Sequence, residues 1–401
     1  MRILYLSPRQ CWPAVSGAKL RDYHLARLLG GNAELTYLYF KGNAAIADKD
    51  LPFCHKLVAV NKPRPYTPAK ILRGLFARLP LTLINYSSPE MTAAVTELTR
   101  ASAFDLVHVD SLHMVSYLPA LPDALRQRVV VSWHNIESEL LLRYAATTRS
   151  LPRKIYASLT VRRVASVERE ILRTCFGHLV CSERERQALL ARVPEARIAV
   201  VGNGVDTKAF DGAFDGMVKT TRNRVLFVGS MAYHANSDAI LWFTGRIWPA
   251  IHERFPHWTL TVVGSDPPPQ VRALAGRPGV EVTGTVPDVK PYYTEAAMAI
   301  VPLLTGGGTR LKILEALAAG VPVVSTTLGI EGLAVTHGEE VLIADKEADW
   351  LPACCSLADQ GALWQKLVTT GRRLVETRYD WDVLGKSMVT TYRQWLSDAA
   401  S

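Results

Sequence analysis

The chain has 401 residues, 48% hydrophobic and 21% charged, and carries a net charge of +9. That length calls for two domains, the composition excludes global disorder, and no apolar run reaches the ~20 residues a membrane-spanning helix needs. Excess positive charge asks for an anionic partner, and with no zinc-finger spacing or RNA-binding aromatic motif present, nucleic acid is set aside in favour of a membrane surface or a phosphorylated small molecule.

Short β-branched runs alternate with helical stretches along the whole chain. The first half predicts strands at Arg2–Ser7, Ala33–Phe40, Lys56–Val60, Leu106–Asp110, Val129–His134 and Leu179–Ser182. The second half predicts them at Val225–Gly229, Leu260–Gly264, Val280–Thr283, Ala299–Leu303, Pro322–Ser325 and Val341–Ala344. Several lack polar alternation, as strands covered on both faces do. The alternation implies α/β folding: parallel sheets with right-handed crossovers, doubly wound. The pattern restarts near Arg224 after a polar, Gly/Asp-rich stretch. The expected domains are therefore 1–208, a linker at 209–223, and 224–380, followed by a helix within 381–401 able to pack on either. Such sheets bind ligands beyond the carboxyl ends of their strands, so a cleft between two of them is the expected site.

Residues Val301 to Val324 are the most informative. A strand ends near Leu304, and Gly306, Gly307 and Gly308 let the backbone turn tightly and expose its amides. Thr309 is a good N-cap. Leu311, Leu314, Leu317 and Ala318 then recur at helical spacing until Gly320 and Pro322 end the helix. Arg310 and Lys312 stand in the first turn, the wrong end of a helix dipole for cations. An anion held there reverses that penalty, so amides, dipole and two cations make a diphosphate site. Glu315, three residues after Lys312, is placed to accept hydrogen bonds from ribose hydroxyls.

The run Gly-Gly-Gly-Thr-Arg-Leu-Lys-Ile-Leu-Glu-Ala-Leu-Ala-Ala-Gly-Val-Pro-Val-Val resembles the donor-site signature of the GT-B glycosyltransferases, specifically retaining family 4. The likeness runs from Ser7 to about Trp395 and is dense from Val225 to Asp345. It implies two Rossmann-like domains facing across a cleft, a nucleotide-sugar donor, no cofactor and no essential metal. Glu315 would hold the ribose, and Arg310 and Lys312 the diphosphate. The sequence departs from the pattern in three places. The family's first glutamate falls on Gly307, and its Arg and Lys after the first strand of the donor domain fall on Ser230 and Ala235. Arg310 and Lys312 are the natural substitutes for that missing charge.

Other segments fit the same likeness. Gly229 and Ser230 end a strand where phosphate or sugar can meet them, though the residues alone also fit a plain turn. Gly284 to Val286 resemble the loop that offers backbone groups to the nucleobase. Gly17 opens a helix whose first amide can approach an anion, and His134 follows an apolar strand where a histidine of the family contacts the transferred sugar. Gly385-Lys386-Ser387 is no P-loop, because Asp380 stands where the upstream glycine belongs. Asp380-Trp381-Asp382 is read as a helix cap and not a metal motif.

Basic residues crowd two stretches of the first half: Lys62, Arg64, Lys70, Arg73 and Arg78, then Arg143, Arg149, Arg153, Lys154, Arg162, Arg163, Arg169 and Arg173. The first is interleaved with Tyr66, Ile71, Leu72, Leu75 and Phe76; each stretch alone also fits a solvated face, and the two together suit an anionic membrane surface and with it a glycan or lipid-linked acceptor. Scattered cysteines and a first strand beginning at Arg2 lead to an expectation of a cytoplasmic, membrane-associated protein without a targeting leader. The leading reading is a metal-independent glycosyltransferase acting with retention. The alternatives are a nucleotide-sugar epimerase or hydrolase on the same fold, or a non-catalytic nucleotide-sugar-binding subunit.

Overall fold

The computed structural model describes residues 1–14, 16–42, 46–77, 79–148, 151–211, 223–306 and 310–399. The chain divides into two compact units, Met1–Gly202 with Gly385–Ser401, and Asn203–Leu384.

The first unit is built on β1 (Arg2–Ser7), β2 (Glu34–Lys41), β3 (Lys56–Asn61), β4 (Leu106–Asp110), β5 (Val129–Ser132), β6 (Gly177–Val180) and β7 (Ile198–Val200). They lie in the order β3-β2-β1-β4-β5-β6-β7, every pair parallel. The second unit contains β8 (Arg224–Val228), β9 (Thr259–Val263), β10 (Val280–Gly284), β11 (Ala296–Val301), β12 (Val323–Ser325) and β13 (Val341–Ile343). Its order is β10-β9-β8-β11-β12-β13, again all parallel. Both are Rossmann-like sheets in which the strand order reverses beside the first strand, at β1/β4 and at β8/β11. All twelve predicted strands are present, displaced at their ends by a few residues. β7 was not predicted: it is three residues long and pairs only with β6.

Burial explains the continuous apolar runs. All six residues of β11 are buried, as are Ile3 to Ser7 of β1, because helices cover both faces of each sheet. Two clusters pack against the second sheet, one around Phe227, Phe243 and Trp350, the other around Leu314, Leu317 and Val323.

Two boundaries differ from expectation. The predicted strand Val129–His134 ends at Ser132. Trp133 N still bonds Leu179 O at 2.8 Å, but His134 turns away to carboxylates described below. Of the expected linker 209–223, residues 212–222 lie outside the described residues. Its start is part of the second unit, since Phe210 is buried edge-on to Tyr293 and Asp211 pairs with Arg372. The unit boundary falls earlier, after Gly202, whose carbonyl accepts Arg21 Nη1 at 2.8 Å.

The last helix, Trp381–Asp398, starts on a real cap: Asp380 Oδ1 accepts the Asp382 amide at 2.8 Å. From Gly385 onward it belongs to the first unit. There Tyr392 Oη meets His108 Nδ1 at 2.6 Å, and the Trp395 ring lies edge-on to Phe176 with the Arg197 guanidinium over its face. Trp395→Ala should therefore destabilise the first unit by ~3 kcal/mol or more. The measurement is denaturant unfolding followed by hydrogen exchange on β4 and β6; unchanged exchange there would show that the helix is only laid on the surface.

Candidate functional site

In the second unit the predicted residues gather at the ends of β8, β9 and β10 and after β11. Backbone crowding decides what can stand there. A Cβ at Gly264 would lie 1.8 Å from Gly229 O, and one at Gly229 would lie 2.8 Å from Lys312 Nζ. Only glycine fits at Gly264, where the obstacle is backbone; at Gly229 a side chain would have to push the Lys312 and Asn236 ends aside. Gly264 N in turn bonds Gly284 O at 3.2 Å, joining the end of β10 to the same group. Gly306 adopts φ +100 beneath Tyr233 and Ala235. Ser230 is exposed, its Oγ accepting from Ser265 at 3.3 Å. Val286 packs partly buried on the core. Gly307, Gly308 and Thr309 lie outside the described residues.

Lys312 is the second residue of the helix Leu311–Ala318. Its ammonium donates to Asn236 Oδ1 at 2.8 Å and sits 4.4 Å above the Phe227 ring. Asn236 is itself held by its amide on Ser230 O at 2.8 Å. Burial, with the Arg310 charge adding to it and Glu315 opposing, pushes the Lys312 amine down to about 7. An amide oxygen and an aromatic face tolerate a cation but supply no full negative charge. Lys312 thus reaches Asn236, the residue after Ala235, from another element. Glu315 Oε2 accepts Tyr293 Oη at 3.2 Å, and that hydroxyl also reaches Lys312 O at 3.2 Å. Burial raises the Glu315 carboxyl, while the Tyr293 bond and Lys312 restrain it.

Arg310 goes elsewhere. It occupies the helix N-cap position, one residue later than Thr309 was expected to stand there. Its side chain is 5% exposed, with Nη2 donating to Leu328 O at 2.7 Å and lying 3.6 Å from Glu331. This guanidinium ties the helix start to the loop after β12.

In the first unit, Gly17 opens the helix Gly17–Gly30, with Ser16 at its N-cap. His134 lies beyond the end of β5 and is not solitary. Its Nε2 is 2.8 Å from Asp110 Oδ1, at the end of β4, and 3.4 Å from Asp22 Oδ1, on the Gly17–Gly30 helix. Arg9 Nη1 stands 3.5 Å from Asp22 Oδ2 on the other side. Both carboxylates are fully buried. Burial alone would lower the imidazole, but the two carboxylates overcome it and raise His134 to about 9. Burial and the Asp110 charge push Asp22 up, whereas the His134 charge holds Asp110 well below the usual carboxylate range despite its burial. Sequence reasoning found His134 and missed Asp110, Asp22 and Arg9. The strand-end rule that selects His134 selects Asp110 equally, and Arg21, Asp22 and His24 on a buried helix face were a second signal.

Asp22, Asp110 and His134 bring one donor atom each within 4.8 Å of one another. Two carboxylates here already face two cations, Arg9 and His134, and a divalent ion would have to displace the proton of a raised imidazole beside a guanidinium. In the structure the trio forms an ion network with Arg9.

Exposed apolar side chains collect on the same helices as the basic stretches. Leu142, Leu151, Ile155, Leu159, Ile71 and Leu72 are all exposed, Leu151 by 67%. Arg163 Nη1 donates to Gly74 O at 2.7 Å, joining the Leu151–Thr174 helix to the Pro68–Phe76 helix. Arg78 and Arg149 lie outside the described residues. Among the described residues no helix is long and apolar enough to cross a membrane.

Each half of the chain matches a family model: residues 53–209 that of Glycosyltransferase Family 4, and residues 222–360 that of Glycosyl transferases group 1. The fold is that of sucrose-phosphate synthase from Thermosynechococcus elongatus, with a TM-score of 0.71 at 19% identity over 100% of both chains. HepE of Anabaena, solved with UDP-glucose, gives 0.60 at 15% identity over 98% of this chain and 100% of that one. In sequence, 247 residues are 26% identical to phosphatidyl-myo-inositol mannosyltransferase of Mycobacterium tuberculosis, covering 59% of this chain and 64% of that protein. A Klebsiella pneumoniae protein of a cps region is 28% identical over 131 residues, 31% of this chain and 34% of its own length. The chain thus spans less than two thirds of the length of these two curated relatives. It has the GT-B fold, two Rossmann-like domains, and each half carries a glycosyltransferase family match.

The two cations of the 310–312 segment should respond differently to removal. Arg310→Ala leaves Leu328 O and Glu331 without their buried partner, a loss of about 1–3 kcal/mol. Lys312→Met removes a cation that folding disfavours, so the variant should melt no lower than the parent at pH below about 7. As pH rises toward the unfolded value of 10.5 the parent's penalty is relieved, and the difference should shrink. Melting curves across that range decide it. A marked loss of stability for Lys312→Met at low pH contradicts the account of its burial.

Proposed function

We propose that the protein is a glycosyltransferase that moves a sugar from a nucleotide-sugar donor to a glycan or lipid-linked acceptor, with retention and without a metal. The observation that carries this reading is Lys312: a buried amine lacking a full counter-charge, among glycine-crowded strand ends at the β8/β11 switch point. A diphosphate brings the charge that Asn236 and Phe227 do not. Glycosyltransferase family matches on both halves and the UDP-glucose held by a GT-B relative of the same fold support it.

On this reading Glu315 accepts the ribose hydroxyls, Gly284 to Val286 offer backbone to the base, and Ser230 and Gly306 border the phosphates. Lys312 stabilises the charge that builds on the diphosphate as the sugar leaves, the kind of electrostatic help that dominates such reactions. Arg310 acts through the loop it holds, and His134 is assigned to the transferred sugar. The exposed apolar and basic residues of the first unit suit an acceptor carried on an anionic membrane.

Nucleoside diphosphate should bind in the presence of chelator, and transfer should persist there; loss of both would overturn the metal-free reading. Binding should take up a proton at Lys312, so affinity falls by up to about tenfold per pH unit above 7. Lys312→Met should bind more weakly and lose that slope. Turnover of donor without acceptor would indicate a hydrolase or epimerase instead. For the acceptor side, vesicles rich in anionic lipid should sediment the protein at low salt and release it at high salt. Equal recovery with neutral vesicles would remove the membrane reading.

A further inference from the structure

The ion network around His134 has a polarity that the sugar-contact assignment alone does not specify. Among the described residues, every group that bonds the ring lies on its Nε2 edge. Asp110 arrives from β4 at 2.8 Å and Asp22 from the Gly17–Gly30 helix at 3.4 Å. Nδ1 bonds no described residue, and the side chain keeps 14% exposure. The backbone that carries the ring is pinned from behind, where Trp133 Nε1 donates to His178 Nδ1 at 3.2 Å and Cys181 Sγ lies 3.2 Å from Trp133 O. The ring therefore has one edge fixed by two carboxylates and one edge left for a ligand.

We propose that Asp22 and Asp110 are positioning residues that grip Nε2 of His134 and keep the ring a cation, so that it presents Nδ1–H to the ligand as a charged hydrogen-bond donor and never as a base. This rests on the assignment of His134 to the transferred sugar. The chemistry it selects is an acceptor oxygen, a sugar hydroxyl or a phosphate oxygen, at Nδ1. The second carboxylate is what makes the device. One Asp fixes a tautomer; two of them, balanced by a single guanidinium, hold a proton on the ring.

The charged and titratable groups that face the ring are Asp110, Asp22, Arg9 on the loop after β1, and Glu137 at the start of the following helix, with His108 and His113 close by. Burial pushes His108 and His113 down to about 3 and 4, so both stay neutral and do not compete for the carboxylates near neutral pH. Glu137 carries a carboxyl that burial and the Glu168 charge raise to about 6. Arg9 is already committed to Asp22. Since the folded value of about 9 exceeds the ordinary 6.5, the stabilisation that the His134 charge contributes is fully present below 6.5 and is lost as pH rises through 9.

The test is titration of His134 by histidine-labelled NMR on the full chain, beside a pH profile of kcat/KM for transfer. In the parent, His134 should remain charged well above neutral pH. Asp22→Asn, close to isosteric, should lower its midpoint by about one to three units and carry down with it the second, steeper part of the alkaline fall, which begins near 9, beyond the part that Lys312 sets above 7. Asp110→Asn provides the second variant should the first fold poorly. His134→Gln, which keeps a donor but cannot titrate, should lower kcat/KM and leave only the fall above pH 7 that Lys312 sets. A parent His134 midpoint at or below 6.5 overturns the proposal whatever the enzyme does, as does a midpoint that ignores both Asp22→Asn and Asp110→Asn. If no nucleotide sugar is turned over, the glycosyltransferase reading fails while the NMR midpoint still decides the clamp.

Discussion

Backbone comes so close to backbone at the ends of β8 and β9 that no side chain beyond hydrogen fits at Gly264, whose Cβ would lie 1.8 Å from Gly229 O. Much of the second unit's chemistry depends on that contact. It opens the space into which Lys312 reaches from a helix on the far side of β11, and it lets Asn236 fold its amide back onto Ser230. A larger residue at Gly229 would strike the ammonium and the asparagine together. The parallel order β10-β9-β8-β11 makes the contact possible, since it sends neighbouring strands out of the sheet at the same edge.

The two units treat a buried cation in opposite ways. His134 is given more negative charge than it needs, and its proton is held. Lys312 is given a dipole and an aromatic face, and its proton is loosened. Physical chemistry separates the two outcomes cleanly: a carboxylate at hydrogen-bond distance offsets the loss of water, whereas an amide oxygen offsets only part of it. The first arrangement is complete in itself; the second gains most from an arriving anion.

Strand positions were legible because strands covered on both faces must be apolar throughout, and the Leu311–Ala318 helix because Gly320 and Pro322 end it. β7 escaped because three residues at a sheet edge carry too little pattern. For the candidate site, the glycine-rich turn, the helix start, strand-end position and the family resemblance singled out Gly229, Gly284, Lys312, Glu315 and His134. They were not enough to say where a long side chain points. Arg310 and Lys312 are two apart on one helical turn, yet one goes to Leu328 and Glu331 and the other to Asn236. Asp22 and Asp110 are 88 positions apart in the numbering, so only folding brings them to one imidazole.

The last helix gives the protein an order of assembly. Gly385–Ser401 belongs to the first unit although the whole of Asn203–Leu384 intervenes. A ribosome delivers the chain from its N-terminus, so Met1–Gly202 emerges with His108 lacking Tyr392 and with the Phe176–Arg197 face lacking Trp395. The second unit has all of its strands and can close first. The unit of Met1–Gly202 is therefore finished after Asn203–Leu384, and it reaches its full stability only once Gly385–Ser401 has been made.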